Sequence, residues 1–231
     1  MTEPRKRRKK TTNDDIEQFM DNEFYRPTRT IYMGSQTYVE GCETGVDHLM
    51  AERMVKTLHI LDNEDPTGES PITIIMNNVG GDWYHGMAIY DAIKSCVNNV
   101  TIKVYGHAMS MGSIILQAAD HRMMSPNSRI MLHYGYSGGN MHTKNTRKWS
   151  NEDVKLEAFM EDTFLEKIKD NKMTLRAYNK LIGKEHKTPK GGAGNKLIKI
   201  DRDRLERMLE FDSLVDPKDA LKLGLIDEII E

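Results

Sequence analysis

The sequence predicts an α/β fold in which helices alternate with short strands of a mostly parallel sheet. Three segments rich in β-branched or apolar residues carry this prediction: residues 71–76 (PITIIM), 100–105 (VTIKVY) and 128–133 (SRIMLH). Between the first two lie residues 86–97, whose apolar side chains recur at helical spacing. Strands that alternate with such helical segments are typical of βαβ units and a parallel sheet.

Further predicted elements extend this pattern on both sides. Residues 30–33 form a predicted strand, and residues 46–61 a predicted helix, because apolar residues recur there every three or four positions. A long, charge-rich helical stretch is predicted at 151–182, with a break at 171–172. The elements predicted after it are a Gly/Pro-rich flexible loop, a helix and a closing helix–strand pair, at residues 187–195, 202–211 and 217–231.

Composition limits the classes of function. The 231 residues are 38% hydrophobic and 29% charged, with a formal net charge of −2. The length and composition suit one large globular domain. The small net charge produces no overall electrostatic attraction to nucleic acid or membranes. No apolar run approaches the roughly 18–20 residues of a membrane span, and the basic N-terminus lacks the apolar stretch of a secretory signal. Cys42 and Cys96 are expected as free thiols in a cytoplasmic protein without metal or cofactor.

The N-terminal region differs from the rest of the chain. Residues 5–10 are an uninterrupted basic run followed by polar residues, so we interpret residues 1–29 as a partly disordered, solvated tail. A nucleic-acid-binding arm is the alternative interpretation, but no interleaved aromatic residues support it. Residues 30–231 are interpreted as a single domain.

The strongest local signal for chemistry is residues 106–112 (GHAMSMG), which follow a predicted strand and precede an apolar helical segment. Small residues around Ser110 leave its hydroxyl accessible at a strand-to-helix turn. The N–H of Met111 lies at the start of the helix, where backbone amides lack intrahelical acceptors and favour negative charge. A nucleophile beside such a donor suits acyl transfer. The alternative is that Ser110 only caps the helix.

A second signal is the glycine pair Gly80-Gly81, which follows the strand predicted at 71–76. Adjacent glycines permit positive φ and leave space for a bound chain. The N–H of Gly81 is then available as a second oxyanion donor, although an ordinary turn is the alternative. The surrounding residues lack the glycine pattern of a phosphate-binding loop, which argues against nucleotide binding.

The third signal is His133, which ends the strand predicted at 128–133. It can act as a general base if it faces the same sheet edge as Ser110, and otherwise it is a structural histidine. The other histidines show no metal-ligand spacing. A carboxylate that orients the imidazole must come from later in the chain, and spacing does not choose among the aspartates. These are Asp201, Asp203, Asp212, Asp216, Asp219 and Asp227.

Four blocks of the sequence together resemble the proteolytic subunit of the Clp protease family. Residues 78–91 (NVGGDWYHGMAIYD) are similar to the family's Asn-Ser-Pro-Gly-Gly … Gly-Met-Ser-Ile-Tyr-Asp block, and residues 106–112 to its Gly-x-Ala-x-Ser-Met-Gly nucleophile motif. Residues 125–133 (SPNSRIMLH) resemble its Pro-Asn-Ser-Arg-x-Met-x-His block, and residues 219–227 (DALKLGLID) its Glu-Ala-x-x-Tyr-Gly-Leu-Ile-Asp ending. Their number and order make the resemblance specific.

The resemblance implies a role for each matching residue. Ser110 is the implied nucleophile, His133 the general base and Asp212 the third triad member, counted back from the Gly-Leu-Ile-Asp ending. The N–H groups of Gly81 and Met111 are the implied oxyanion hole. The implied substrate-binding residues are Gly80, Tyr134, Gly135 and Tyr136.

The resemblance also implies an architecture and an assembly. The expected fold is the spiral ββα superhelix shared with crotonases, with a protruding handle at about 140–182 and an inserted loop at about 183–200. Residues 134–139 are expected to pair with the substrate backbone as an added strand. Subunits are expected to form a tetradecamer of stacked heptameric rings that receives unfolded polypeptides from an AAA+ unfoldase (ClpX-, ClpA- or ClpC-like). The region after the basic run is expected to line the axial entrance.

The chain departs from the family pattern in ways that point to a divergent or viral member. Tyr134-Gly135 stands where the family has Gln-Pro, Val79 replaces a proline, and the inserted loop lengthens the stretch before Asp212. Two other functions remain open at this point. One is a catalytically inactive structural subunit of such a ring. The other is a crotonase-like acyl-CoA enzyme, which also uses paired backbone N–H donors.

Overall fold

The computed structural model describes most of the chain. The described ranges are residues 11–35, 38–39, 42–135, 143–189 and 191–231. The basic run at 5–10 and most of the predicted substrate strand lie outside the described residues. No helix in these ranges is both long and apolar enough to cross a membrane.

Helices and short strands alternate along much of the chain. The helices are α1 (Asn13–Asn22), α2 (His48–Glu64), α3 (Trp83–Ser95), α4 (Met111–Leu116), α5 (Thr143–Ile168), α6 (Leu175–Leu181), α7 (Arg202–Glu210) and α8 (Pro217–Leu223). The strands are β1 (Phe24–Tyr25), β2 (Thr30–Gly34), β3 (Tyr38–Val39), β4 (Cys42–Glu43), β5 (Ile72–Asn78), β6 (Val100–Met109), β7 (His121–Met124), β8 (Arg129–Leu132), β9 (Lys172–Thr174), β10 (Leu197–Lys199), β11 (Ser213–Val215) and β12 (Glu228–Ile229).

The main sheet has eight strands, and six of them follow the order β1-β2-β5-β6-β7-β12. Strands β2, β5, β6 and β7 pair in parallel, as expected when each connection crosses over through a helix or a turn of helix. The remaining two strands branch from β6, since β8 pairs with β6 and β11 pairs with β8. The predicted α/β class with a mostly parallel sheet is confirmed.

Strand β6 changes partner partway along its length. Its first half pairs in parallel with β7, up to Val104↔Met124, and its second half pairs in parallel with β8, from His107↔Arg129. The buried hydroxyl of Ser128 bridges the change: it accepts a hydrogen bond from the N–H of Gly106 at 3.1 Å and donates to the carbonyl of Val104 at 3.1 Å. The backbone groups at the point where β6 changes partner are thereby hydrogen-bonded, as buried polar groups must be.

One hydrophobic core joins the sheet to its covering helices. The largest fully buried side chains come from the strands, from α2, α3 and α4, and from α5. They are Ile31, Met33, Met54, Leu58, Leu61, Ile72, Ile74, Met76, Ile89, Ile102, Ile115 and Phe164. On α5, Met160 and Ile168 are buried with Phe164, whereas Trp149 and Val154 are exposed. The C-terminal half of α5 therefore packs on the domain, and its earlier turns present apolar side chains to solvent.

Two predicted helix boundaries differ from the structure. Helix α2 begins at His48, because Asp47 is its N-cap and accepts a hydrogen bond from the N–H of Met50. Val46, which was predicted inside that helix, forms an isolated parallel bridge with Gly81. Helix α5 begins at Thr143, eight residues before the predicted start. The helical period was visible in both cases, but a helix end is decided by its caps and by tertiary contacts.

The stretch predicted as a flexible Gly/Pro-rich loop contains regular structure. Short 3₁₀ turns occur at Glu185–Lys187 and Gly191–Asn195, with residue 190 between them outside the description. Strand β10 then pairs antiparallel with β9, and the N–H of Leu175 donates to the carbonyl of Lys196 at 2.9 Å. The inserted segment folds back against the residues that follow α5, because β10 forms backbone hydrogen bonds with β9. Such pairing between distant residues is not visible in the composition of the segment.

An ion pair attaches the C-terminal segment to the sheet. Arg122 on β7 is 8% exposed, and its guanidinium donates to both carboxylate oxygens of Asp227, at 2.9 and 2.7 Å. It also donates to the side chain of Gln117 and to the carbonyl of Gly224. Partial burial alone would raise the pKa of the Asp227 carboxyl, but the hydrogen bonds from Arg122 outweigh burial and hold that pKa below its ordinary value.

We predict that Asp227→Asn destabilises the protein in a pH-dependent way. Because the folded pKa lies below the unfolded value of about 3.9, the carboxylate stabilises the fold above about pH 4, and this contribution is lost as the pH falls through the folded pKa. The free energy of unfolding should fall by about 1–2 kcal/mol at pH 7, less than for a fully buried pair because the carboxylate is partly solvated.

Urea unfolding of wild type and Asp227→Asn at pH 7 and pH 3 measures this difference. The gap between the two proteins should narrow at pH 3. Asp170→Asn is the matched control: Asp170 pairs with Lys199 at 2.9 Å, but its side chain is 96% exposed, so little change is expected. A gap that is equally large at both pH values contradicts the role given to the Asp227 carboxylate.

Candidate active site

Ser110 lies at the end of β6, at the turn into α4. Its backbone has φ 51° and ψ −124°, a conformation that non-glycine residues rarely adopt and that is typical of constrained functional positions. Its N–H donates to the carbonyl of Met131 on β8 at 3.1 Å, and its carbonyl accepts from the N–H and the hydroxyl of Ser113. Within the described chain its side chain makes no capping hydrogen bond to α4. Ser110 thus occupies the N-cap position of α4, but its hydroxyl does not serve as the cap.

Gly80 lies directly against Ser110. It has φ +99°, and a Cβ built on it would overlap the Cβ of Ser110 and crowd the carbonyl of Met109. Its N–H donates to the side-chain oxygen of Asn78 at 2.9 Å, a bond between two residues of one turn. Only glycine combines this backbone conformation with so close an approach to the serine.

Gly81 is held by the bridge to Val46. The N–H of Val46 donates to the carbonyl of Gly80 at 2.5 Å, and the N–H of Asp82 donates to the carbonyl of Val46 at 2.8 Å. Neither of these two bonds uses the N–H of Gly81. A Cβ on Gly81 would overlap the backbone of Val46, so the second glycine is required by strand contact. The bridge therefore orients the Gly81 peptide beside the turn that carries Ser110.

Met111 is the first residue of α4. Its N–H belongs to the first turn, whose amides have no acceptor within the helix. Its side chain is only 2% exposed and packs against Gly86 of α3, where a Cβ would overlap the methionine. Packing of α4 on α3 thus determines the direction of the Met111 amide.

His133 and Asp212 are brought together by strand register. Met109 on β6 pairs with Met131 on β8, so Ser110 and His133 both follow the carboxyl ends of neighbouring parallel strands. On the other side of β8, Ser213 pairs with Leu132 in antiparallel register. Asp212 therefore lies beside His133, and its Oδ1 is 3.3 Å from the Nδ1 atom of the imidazole.

The other aspartates that spacing left open have different contacts. Asp201 and Asp216 are the N-caps of α7 and α8, Asp219 pairs with Lys222, and Asp227 binds Arg122. Asp203 lies in the first turn of α7. The backbone of Asp212 has φ 46°, which turns the chain from α7 into β11 and points its residue toward His133. Asp212, by contrast, contacts His133.

The predicted substrate-binding residues after His133 differ in their surroundings. Tyr134 donates through its N–H to the carbonyl of Leu209 at 3.1 Å, and through its hydroxyl to Glu161 at 2.7 Å. Its side chain therefore contacts α5. Gly135 is open, since a Cβ there would have no neighbour within 4 Å. Tyr136 lies outside the described residues.

Two residues near this site were missed by the sequence analysis. Glu161 on α5 is 8% exposed and binds Arg202, the first residue of α7, as well as Tyr134. A signal for Glu161 was present, because it precedes Phe164 and Ile168 at helical spacing and so falls on the buried stripe. No local pattern pointed to Arg202, whose partner is distant in the sequence.

Burial and the acidic neighbourhood change the acid–base properties of this region. Burial, together with the hydrogen bond to Glu161 and that residue's charge, raises the pKa of Tyr134. Burial and the charges of Glu161 and Asp153 raise the pKa of Glu157. The Tyr134 phenol therefore stays protonated and acts as a donor. No group of three or more His, Cys, Asp or Glu in the described ranges is arranged to hold a metal ion.

Groups of the kinds that nucleophilic sites use lie around the end of β6. They are a serine on a constrained backbone, a histidine that follows the adjacent strand, a carboxylate on that histidine, and backbone amides at the Gly80-Gly81 turn and the start of α4. Such a set can transfer an acyl group, because each component of nucleophile, base, orienting acid and oxyanion donor is represented.

Comparison with known proteins places the chain in a family. The profile described as Clp protease matches residues 28–180. The chain is 32% identical over 190 residues to the ATP-dependent Clp protease proteolytic subunit of Deinococcus radiodurans, covering 81% of this chain and 78% of that protein. It is 30% identical over 207 residues to the ATP-dependent Clp protease proteolytic subunit 3, chloroplastic, of Arabidopsis thaliana, covering 88% of this chain and about half (53%) of that protein. The chain belongs to the Clp protease family.

Proposed function

We propose that this protein is a serine endopeptidase, the proteolytic subunit of an ATP-dependent Clp-type protease. The observation that carries the proposal is the contact of Asp212 with His133 on the strand next to Ser110. A carboxylate on Nδ1 leaves the other imidazole nitrogen as the atom that exchanges a proton with the serine. Both relatives are named as proteolytic subunits of this kind of protease.

In the proposed mechanism the Ser110 hydroxyl attacks the carbonyl carbon of a peptide bond while His133 takes its proton. The negative oxygen of the tetrahedral intermediate is stabilised by the N–H groups of Gly81 and Met111. His133 then returns the proton to the leaving amine, and an acyl-enzyme remains. Water, deprotonated by His133, attacks the ester carbon. The bond to the Ser110 oxygen breaks, His133 returns the proton to that oxygen, and the new carboxyl group is released. Asp212 holds the imidazole in one tautomer and stabilises its charged form.

Substrate binding follows from the same edge of the sheet. Gly80 and Gly135 leave room for a bound chain, and we propose that the stretch after His133, including Tyr136, pairs with an extended substrate. Unfolded polypeptides are the proposed substrates, because strand pairing requires an extended chain and depends little on the identity of its side chains. The acyl-CoA alternative lacks comparable support. Such an enzyme needs the paired N–H donors, but it does not need a serine with positive φ near a His–Asp pair.

We also propose assembly into stacked heptameric rings with residues 30–231 as the peptidase domain. Exposed apolar side chains on α5 support self-association: Trp149 is 45%, Val154 62% and Phe159 38% exposed. An AAA+ unfoldase (ClpX-, ClpA- or ClpC-like) is the proposed partner that supplies unfolded chains, because the sequence itself has no phosphate-binding loop. Enclosure in a chamber would keep a weakly selective site away from folded proteins.

We expect Ser110→Ala to abolish both hydrolysis of a short fluorogenic peptide and labelling by a fluorophosphonate. Loss of the nucleophile of a triad lowers kcat by about 10⁶, and the reagent reacts only with an activated serine. Ser95→Ala is the control, since Ser95 is an exposed residue at the end of α3. A wild-type protein that neither cleaves nor becomes labelled would indicate the inactive structural subunit instead.

Asp212→Asn should lower kcat by about 10⁴, because the amide favours the wrong imidazole tautomer while the nucleophile stays in place. The Asp212 side chain is 59% exposed, so its replacement should leave the melting temperature nearly unchanged. Steady-state kinetics beside a thermal melt separate the two effects, with Asp203→Asn on α7 as the control. A kcat near that of wild type would remove Asp212 from the mechanism.

Native mass spectrometry should show a tetradecamer that gains one fluorophosphonate adduct per subunit. The structural support for this assembly is the exposure of Trp149 and Val154 on α5, which a neighbouring subunit would cover. Val154→Lys, which puts a charge on the most exposed of these side chains, should shift the population toward smaller species. A monomer for wild type at micromolar concentration contradicts the proposed rings without affecting the proposed chemistry.

A further inference from the structure

The residue after the proposed base is held from two sides. The N–H of Tyr134 donates to the carbonyl of Leu209, in the last turn of α7, at 3.1 Å. Its hydroxyl donates to Glu161 on α5 at 2.7 Å. Tyr134 stands where the resemblance to the family leads one to expect glutamine, so this contact with α5 is a feature of this chain.

Glu161 is the junction of the network. Its side chain is 11% exposed, and a carboxylate so deeply placed requires partners for both oxygens. One oxygen accepts from Tyr134, and the other pairs with the guanidinium of Arg202, whose second nitrogen contacts Asp162. A single carboxylate on α5 thus joins the segment that follows His133 to the start of α7.

Helix α7 carries these contacts to Asp212. Arg202 is its first residue, Leu209 lies in its last turn, and Asp212 follows Leu209 by three positions. The antiparallel pairing of β11 with β8 ends at Ser213↔Leu132, so the His133–Asp212 contact lies just beyond the last ladder pair. The geometry of this contact depends on where α7 ends. Leu205, Met208 and Leu209 pack α7 into the core, and its two ends are in addition attached to Glu161 and Tyr134.

We propose that Glu161 is a positioning residue that holds Asp212 against His133 through Arg202, α7 and Tyr134. The inference rests on the proposed function, because it assigns Glu161 a task within the Ser110–His133–Asp212 arrangement. The hydrogen bonds of Glu161 described above go to Tyr134 and Arg202. The inference requires that its effect on catalysis passes through Asp212, and this requirement makes the inference testable.

A double-mutant cycle tests it. The variants are Glu161→Gln, Asp212→Asn and the double variant, and the readouts are the second-order rate constant for fluorophosphonate labelling of Ser110 and kcat and KM for a peptide. With Asp212 present, Glu161→Gln should lower labelling and kcat by about 10- to 100-fold, as small misplacements of catalytic groups do, with little change in KM. In the Asp212→Asn background the same substitution should change labelling by less than about twofold.

Two outcomes overturn the inference. Equal fold losses from Glu161→Gln in both backgrounds would mean that Glu161 supports the fold and does not act through Asp212. No loss in either background would mean that the contact is without consequence. Tyr134→Phe, which keeps the ring and removes only the hydroxyl, repeats the cycle if Glu161→Gln is found unfolded by circular dichroism, and the same two outcomes apply to it.

Matched controls come from the same two helices. Lys155→Gln on α5 removes an exposed pair with Glu152, and Arg204→Gln on α7 removes a pair with Asp201. Both should label within about twofold of wild type, since exposed pairs contribute little. Wild-type protein that fails to label refutes the proposed function, whereas labelled wild type with additive losses refutes only the role of Glu161.

Discussion

Strand β6 changes partner at Gly106, and the positions of the other groups in the site follow from that change. Because β8 takes the place of β7 beside the second half of β6, the carboxyl ends of β6 and β8 meet at one edge of the sheet. Ser110 and His133 follow those two ends. The pairing of β11 with the far side of β8 then brings Asp212 to His133. Where β6 changes partner, the buried hydroxyl of Ser128 bonds the N–H of Gly106 and the carbonyl of Val104. One small side chain thus supplies the hydrogen bonds that these buried backbone groups require.

Three residues around the same edge have a left-handed backbone conformation. Ser110, Gly80 and Asp212 all have positive φ, a conformation that costs a non-glycine residue about 1–3 kcal/mol unless its surroundings determine it. Here they do: Ser110 is tied to β8 through its N–H and to Ser113 through its carbonyl, and Gly80 packs on it without a side chain. Contacts with the surrounding sheet thus stabilise the turn that carries the Ser110 hydroxyl. Local sequence preference alone would not stabilise this backbone conformation.

Helix α5 has a buried C-terminal half that contacts the core and the site, and earlier turns that are exposed. Its C-terminal half contributes Phe164 to the core and Glu161 to the network around Tyr134, while Trp149 and Val154 on its earlier turns face solvent. Any partner that covers the exposed turns would act on a helix already connected to the neighbourhood of His133. A single helix therefore connects the exposed turns to the neighbourhood of His133, through packing and one buried carboxylate.

The sequence by itself determined the α/β class, the strands that became β5, β6 and β8, and the helices α3, α7 and α8, because side-chain periodicity is a local property. It also indicated Ser110, since a serine among small residues at a strand-to-helix turn is a local signal. Only the tertiary structure decided that Val46 leaves its predicted helix to bridge Gly81, and that Glu161 faces Tyr134 and Arg202. It also separated Asp212 from the other aspartates by contact, where the sequence had only a resemblance to rely on. The physical reason is that strand register and helix attachment join residues far apart in the chain, and no spacing along the sequence encodes those distances.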